Sequence, residues 1–253
     1  MATWDPTQYR QFAAERFRPG YELMERISAV PRSLVDLGCG TGELTVELCR
    51  RYPSAVSVGV DMSSAMLKKA ECLSSHVKWT EGDLECWEAD RSYDLVFTNA
   101  ALQWVANHDA LIPRLVSIVA QGGTFAMQVP ANFEAKSHQL LYESAIDLGI
   151  SLKDRRASVL SADRYLDHLS AHFDDVDVWC TEYVHLLSGD DAVLEWVRGT
   201  ALRPILSELG EPQLSQFLEM YRQKLRIAYP RGDDGATRFP FRRLFAVGRG
   251  KKA

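Results

Sequence analysis

The chain has 253 residues, of which 29 are Lys or Arg and 34 Asp or Glu, for a formal net charge of −5; 46% are hydrophobic and 25% charged. That is the make-up of a globular protein with ample core to fold without covalent staples. It excludes a basic polyanion binder, because phosphate contacts need clustered Lys and Arg, and no apolar run approaches the ~20 residues of a membrane helix.

In chain order, the start Met1-Ala2-Thr3-Trp4-Asp5 lacks the basic-then-apolar pattern of a signal peptide. Residues 33–37 read as a short buried strand running into glycines. Residues 43–51 are helical and end before Pro53. Residues 55–60 read as a second strand, and Ser63 or Ser64 caps a helix reaching about residue 74. Val77-Lys78-Trp79 and Asp94 to Thr98 are the third and fourth strands. Leu111, Ile112, Leu115, Val116 and Val119 share one helical face. Gln121-Gly122-Gly123 is a turn before a fifth strand, Thr124 to Val129. Five strand–helix alternations predict a parallel sheet with helices on both faces.

Pro130 to about Leu169 then reads as helical. Residues 176–187 form a strand with Val176, Val178 and Cys180 on one face. Residues 190–209 and 212–228 are helices, the second carrying Leu214, Phe217, Leu218, Tyr221 and Leu225 at helical spacing. Phe239 to Gly248 is the last strand. The expected architecture is α/β: a doubly wound, seven-stranded, mostly parallel sheet with an inserted helical cap. Residues 1–253 form one domain, with 1–30 as a helical lid and 31–130 as the ligand-binding core. Residues 131–170 and 188–230 are the cap, and 171–187 and 238–250 the last two strands. The cap is expected over the C-terminal edge of the sheet, where open α/β sheets bind ligands.

Five cysteines, Cys39, Cys49, Cys72, Cys86 and Cys180, include no Cys-x-x-Cys pair. No disulfide framework and no metal site is expected, and a reducing cytoplasm fits best. Cys39 reads as a small residue in a tight turn rather than as a nucleophile.

The sharpest signal is Asp36-Leu37-Gly38-Cys39-Gly40-Thr41-Gly42, which follows a strand and opens a helix. Glycines there let the backbone turn tightly and approach a ligand. A dinucleotide fingerprint needs its third glycine one residue later, and the carboxylate of Glu43 would repel a pyrophosphate. Acidic residues suit a cationic ligand instead, and S-adenosylmethionine carries an ammonium and a sulfonium. Asp61 ends the second strand, placed to accept both ribose hydroxyls. Asp83, after the third strand, can accept from the adenine amino group beside Leu84 and Trp87, or can cap a helix. Asn99 ends the fourth strand as a ligand residue or a turn residue.

This loop, with Asp61, Asp83 and Asn99, resembles the class I S-adenosylmethionine-dependent methyltransferases. More narrowly, Trp4-Asp5-Pro6-x-x-Tyr9-x-x-Phe12-x-x-Glu15-Arg16-x-Arg18-Pro19 resembles the start of the bacterial trans-aconitate 2-methyltransferases. So do Asn99-Ala-Ala-Leu-Gln-Trp104, Glu195-Trp196-Val-x-Gly199-Thr200-x-Leu202-Arg203-Pro204, Ala228-Tyr229-Pro230 and Pro240-Phe-x-Arg243-Leu-Phe245. Ala131-Asn132 stands where the family has Asp-Asn, and Thr41 and Glu43 where it has Pro and Asn. Phe17 stands where the family has Thr.

The resemblance implies cofactor contacts from Asp36, Gly38, Cys39, Gly40, Gly42, Asp61, Met62, Asp83, Leu84 and Asn99. It also implies methyl transfer to a small carboxylic acid. A carboxylate is already ionised at neutral pH, so no general base is expected. A dry pocket that aligns the reactants supplies the acceleration, and aromatics such as Trp4, Tyr9, Phe12, Trp104 and Trp196 suit it. A tricarboxylate demands cations, which Arg offers bidentately. Arg16, Arg18, Arg203, Arg242, Arg243 and His138 are candidates, with Arg203 and Arg243 foremost. Tyr9 and Gln103 are expected to donate to the reacting carboxylate. Alternatives are another small acid or nucleophile as acceptor, or a cofactor-binding protein without catalysis.

Overall fold

The computed structural model describes residues 13–152, 159–202, 205–206 and 209–253. Its elements follow the alternation of the sequence. Helix α1 spans Ala13–Met24 and strand β1 Ser33–Leu37. Helix α2 spans Glu43–Arg51, β2 Val56–Asp61, α3 Ser64–Leu73 and β3 Lys78–Glu81. Strand β4 spans Tyr93–Asn99, followed by a 3-10 turn at Leu102–Trp104. Then come α4 at His108–Ser117, β5 at Val119–Pro130, α5 at Lys136–Asp147 and α6 at Ala162–Ser170. The rest is β6 at Phe173–Ser188, α7 at Ala192–Arg198, α8 at Glu211–Ala228 and β7 at Ala236–Lys251.

Capping chemistry sets several starts. Ser63 Oγ accepts from Met66 N, and Ser161 Oγ from Arg164 N, each satisfying an orphan donor of a first turn. Helix α2 has no side-chain cap. It starts from Gly42 in the left-handed region at φ 87°, so its first N–H groups open toward the loop.

The seven strands are ordered β3-β2-β1-β4-β5-β7-β6. Strands β1 to β5 pair in parallel, and β7 runs antiparallel to β5. In β1, Leu34, Val35, Asp36 and Leu37 are all buried, the mark of a strand covered on both faces. The chain winds outward from β1 through β2 to β3, then returns to β4 on the other side of β1. The C-terminal ends of β1 and β4 therefore flank a topological switch point, where such sheets leave a ligand crevice.

Two expectations are corrected. Val119 opens β5 instead of closing the helical face of α4, because α4 ends at Ser117. Gln121-Gly122-Gly123 is an irregularity inside β5: the register moves from Tyr93↔Val119 to Leu95↔Thr124, with Gly122 at φ 76°. Glycine permits that extra length without ending the strand. In β6 the buried face carries Tyr183, His185 and Leu187, while Cys180, Val184 and Leu186 are exposed. The strand stands where it was expected, and the two-residue period does put Val176, Val178 and Cys180 on one face.

The described chain forms two compact units, and α1, β6 and β7 each contribute to both. One unit, from residues 17–130, 159–181 and 243–253, holds the core sheet residues Leu34, Val35, Val60, Phe97, Phe125 and Met127, all 0% exposed. The other contains residues 13–16, 131–152, 182–202, 205–206 and 209–242. It has its own core of Trp196, Phe217, Tyr221 and Phe239.

Candidate active site

The glycine loop is held by the strands beneath it. Gly38 N and Cys39 N both donate to Val60 O, at 2.8 and 3.0 Å, and Gly42 N donates to Cys39 O. Gly38, Gly40 and Gly42 all have positive φ. A Cβ on Gly38 would lie 2.2 Å from that of Ala101, and one on Gly42 2.7 Å from the Trp79 ring, whereas Gly40 meets nothing within 4 Å. The loop is thus wedged at both ends and open in the middle, a cradle with room for a ligand.

Three carboxylates surround it, each doing a different job. Asp61, at the end of β2, accepts Gly40 N at Oδ2 and Ser63 N at Oδ1, both at 2.9 Å. Each oxygen keeps a second lone pair for a ligand hydroxyl. Asp36 is 2% exposed and takes the Thr45 hydroxyl at 2.6 Å, tying β1 to the first turns of α2. Burial pushes its carboxyl up to about 7, against the Thr45 hydrogen bond and helped by the charge of Asp61. It is a brace under the loop more than a full negative charge beside it. Asp83 is exposed. It accepts Glu85 N at Oδ1, and its carbonyl takes Cys86 N and Trp87 N, so it caps a turn. Arg114 donates to the Leu84 and Trp87 carbonyls of that turn. Leu84 is 8% exposed, and Met62 69%. The Cys39 thiol is pushed far up, by burial first and then by Asp36 and Asp61; a thiol kept protonated is no nucleophile.

At the end of β4, Asn99 Oδ1 is buried with no hydrogen-bond partner among the described residues. An acceptor left open there suits an ammonium donor. Together with the open glycine at 40 and the carboxylate of Asp61, it fits an adenosine ligand carrying an amino-acid tail. Ala100 follows at φ 53°, a left-handed residue with a Cβ, which stores backbone strain. It is held by Ala100 N donating to Gln128 O and Gln103 Nε2 donating to Ala100 O at 2.6 Å. Gln103 therefore spends a donor on the backbone and leaves Oε1 buried without a partner among the described residues. Trp104 is 47% exposed.

Behind this turn, His108 is 1% exposed. Its Nε2 lies 2.8 Å from Leu102 O and its Nδ1 2.6 Å from the Tyr165 hydroxyl. Burial lowers its pKa, so the ring is neutral, with the proton on Nε2 donated to Leu102 O and Nδ1 accepting from Tyr165. On β5 and β7, Gln128 is 0% and Arg243 4% exposed, and Arg243 Nη1 donates to Gln128 Oε1 at 3.4 Å.

In the other unit, Arg16 is 9% exposed. Its Cζ lies 5.5 Å from the Trp196 ring centroid, a cation–π distance, and a Cβ on Gly199 would lie 2.9 Å from its Nη2. Arg18 instead is solvated and paired with Glu22 at 2.7 Å. Burial holds His138 down at about 4, so it carries no cation at neutral pH. Trp4, Tyr9, Phe12 and Arg203 lie outside the described residues. Among the described residues no cluster of His, Cys, Asp or Glu could hold a metal, and no helix is long and apolar enough to cross a membrane. The sequence reading missed Ala100, His108 and Gln128. Gln128 alone had a visible signal, a single polar residue in the apolar run Phe125-Ala-Met-Gln-Val129.

The switch-point crevice, glycine cradle and strand-end acids define a class I S-adenosylmethionine-dependent methyltransferase. A family model described as a methyltransferase domain matches residues 34–123. A solved structure of phosphoethanolamine N-methyltransferase 2 from Haemonchus contortus, in complex with S-adenosyl-L-methionine, superimposes with a TM-score of 0.58 at 16% identity. The match covers 97% of this chain and 56% of that one, so this chain spans just over half of that protein's length. The trans-aconitate 2-methyltransferase of Streptomyces coelicolor is 44% identical, over 98% of this chain and 86% of the relative. That of Streptomyces avermitilis is 42% identical, over 98% and 97%. The chain belongs to the trans-aconitate 2-methyltransferase family.

Proposed function

We propose that the chain transfers a methyl group to one carboxylate of a small polycarboxylic acid, trans-aconitate, giving a monomethyl ester. The observation that carries this reading is Arg243, a guanidinium 4% exposed on β7 and paired in register with Pro130 at the end of β5. A buried cation near the C-terminal edge of the sheet suits an anionic acceptor, and the named relatives support trans-aconitate as that acid.

The cofactor supplies a sulfonium-bound methyl as the electrophile. Gly38, Cys39, Gly40 and Gly42 would hold its amino-acid end with their backbone, and Asn99 Oδ1 would accept from its ammonium. Asp61 would take the ribose hydroxyls, with Met62, Asp83 and Leu84 around the base. Asp36 braces the loop from below. A carboxylate acceptor is ionised at neutral pH, so none of these residues need move a proton. Their work is alignment and exclusion of water, which lets opposite charges meet without their hydration shells. Gln103, Trp104 and Arg243 would orient the acid. Tyr9, Arg16 and Arg203 are assigned to it from the family resemblance. All five cysteines are free thiols, which supports a cytoplasmic setting.

The test is turnover with labelled S-adenosylmethionine and a panel of acids. Base-labile methyl on trans-aconitate, with weak transfer to monocarboxylates, is the expected result. Transfer to another acid alone replaces the substrate. Cofactor binding with no transfer to any acid leaves a non-catalytic binding protein.

A further inference from the structure

Two carboxamides stand side by side where β4 and β5 end. Asn99 and Gln128 are register partners in the parallel pair, so their side chains project from the same face of the sheet. Gln128 is 0% exposed, and its Nε2 has no hydrogen-bond partner among the described residues; the same holds for Asn99 Oδ1. The orientation of the Gln128 amide is fixed by chemistry. Arg243 can only donate, so the group it meets at 3.4 Å must be the carbonyl oxygen Oε1. That leaves the NH₂ end of Gln128 as the open one. A buried donor without a partner is costly, and native proteins keep one only where something else fills it.

The two open atoms are of opposite kind. Asn99 presents an acceptor, which fits a cationic donor. Gln128 presents a donor, next to a guanidinium, which fits an anion. A reaction between a cationic methyl donor and a carboxylate brings this pair of charges together. Resting on the carboxylate-acceptor reading above, we propose that Gln128 is an acceptor-binding residue whose Nε2 donates to a carboxylate oxygen of the acid. Arg243 is the positioning residue that holds the amide in this orientation. The neutral amide makes the site selective: it accepts an anion or carbonyl oxygen and offers nothing to an amine acceptor.

The experiment compares wild type, Gln128→Glu and Gln128→Met, each loaded with S-adenosylhomocysteine and titrated calorimetrically with trans-aconitate. Glu keeps size and an oxygen for Arg243 but replaces the donor with an anion. Met keeps size and removes both polar ends. The expected result is a loss of acid affinity of about tenfold or more for Met, as for a lost hydrogen bond to a charged group, and a larger loss for Glu. Affinity for S-adenosylhomocysteine stays within about twofold. Acid affinity within about threefold of wild type in folded Gln128→Glu overturns the proposal. If neither variant folds, the side-chain amide resonance of Gln128 in wild type is followed instead; no shift at saturating trans-aconitate overturns it equally. A wild type that neither binds nor methylates the acid overturns the parent reading, and this one with it. Normal turnover with an indifferent Gln128 overturns this one alone.

Discussion

The carboxylate of Asp61 accepts a hydrogen bond from the backbone N–H of Gly40 at 2.9 Å. The last residue of β2 thus fixes the middle of the glycine loop at the end of β1, and loop shape and ligand binding are coupled through one side chain. Asp61→Ala removes the Gly40 and Ser63 bonds together with the proposed ribose contacts. Cofactor Kd should rise about a hundredfold, as for two lost charge-assisted hydrogen bonds, while stability falls by only about 1–2 kcal/mol. Equilibrium dialysis and urea unfolding on the same samples separate the two effects. A variant with wild-type Kd removes Asp61 from the cofactor site.

Gly38 and Gly40 both have positive φ, at 75° and 56°, but different surroundings. Alanine at Gly40 costs roughly 1–2 kcal/mol of left-handed strain and puts a methyl group into the open cradle. Alanine at Gly38 pays the same strain and also drives its Cβ to 2.2 Å from Ala101. We expect Gly40→Ala to fold well and bind cofactor poorly, and Gly38→Ala to lose about 3 kcal/mol or more of stability. Thermal melts with and without cofactor discriminate them: the cofactor-induced rise in Tm should vanish in Gly40→Ala.

Asp36 makes stability pH-dependent in a direction unusual for a carboxylate. Unfolded, it ionises near ~4; folded, burial holds its proton to about 7. Between these values the folded chain binds the extra proton, so its contribution to stability is complete below the unfolded pKa and is lost as pH rises through 7. Asp36→Asn imitates the protonated form at every pH. Relative to wild type it should gain stability, on the order of 4 kcal/mol, between pH 4 and pH 8. Parallel stability curves for the two proteins would contradict this assignment.

His108 bridges Leu102 O and the Tyr165 hydroxyl from a fully buried position. His108→Leu leaves the Leu102 carbonyl unsatisfied and should cost about 2–4 kcal/mol. Because that bond anchors the turn bearing Gln103 and Trp104, turnover should fall more than cofactor affinity does. The depressed pKa of the ring adds an acid-side signature. As pH falls below ~6.5 the unfolded histidine takes up a proton that the folded one refuses, so wild type loses stability there. In His108→Leu that part of the loss should be absent from denaturant titrations.

The strand ends were legible in the sequence because a parallel sheet puts its ligand residues there by topology. Asp61, Asp83 and Asn99 stand at those ends, as the alternation of strands and helices implied. What each carboxylate does was not legible, since Asp36 and Asp61 are the same residue type. Only burial, 2% exposure for Asp36, and the partner atoms separate a buried brace from the Asp61 carboxylate, which holds Gly40 N and Ser63 N. The two readings of Asp83 resolve in part: it does cap a turn, with one oxygen engaged by Glu85 N. Arg16 and Arg18 look alike on paper, yet one lies over Trp196 and the other pairs with Glu22 in solvent. Gln128 stood out as the one polar residue in its apolar run, but its open amide was not legible, because strand periodicity says nothing about whether a buried amide has a partner.

The sheet order places β7 between β5 and β6, although β7 follows both in the chain. Until it docks, β5 presents an open parallel-sheet edge and β6 lacks its neighbour, so the sheet cannot be completed by local steps. Pairing at such sequence separation is slow to nucleate. A folding intermediate that lacks β7 would bear Asn99 and the glycine loop on finished strands while Gln128 still lay on an unpaired edge. In such a species the proposed cofactor residues would mature before the proposed acid-binding ones, and refolding experiments would see cofactor affinity return ahead of turnover.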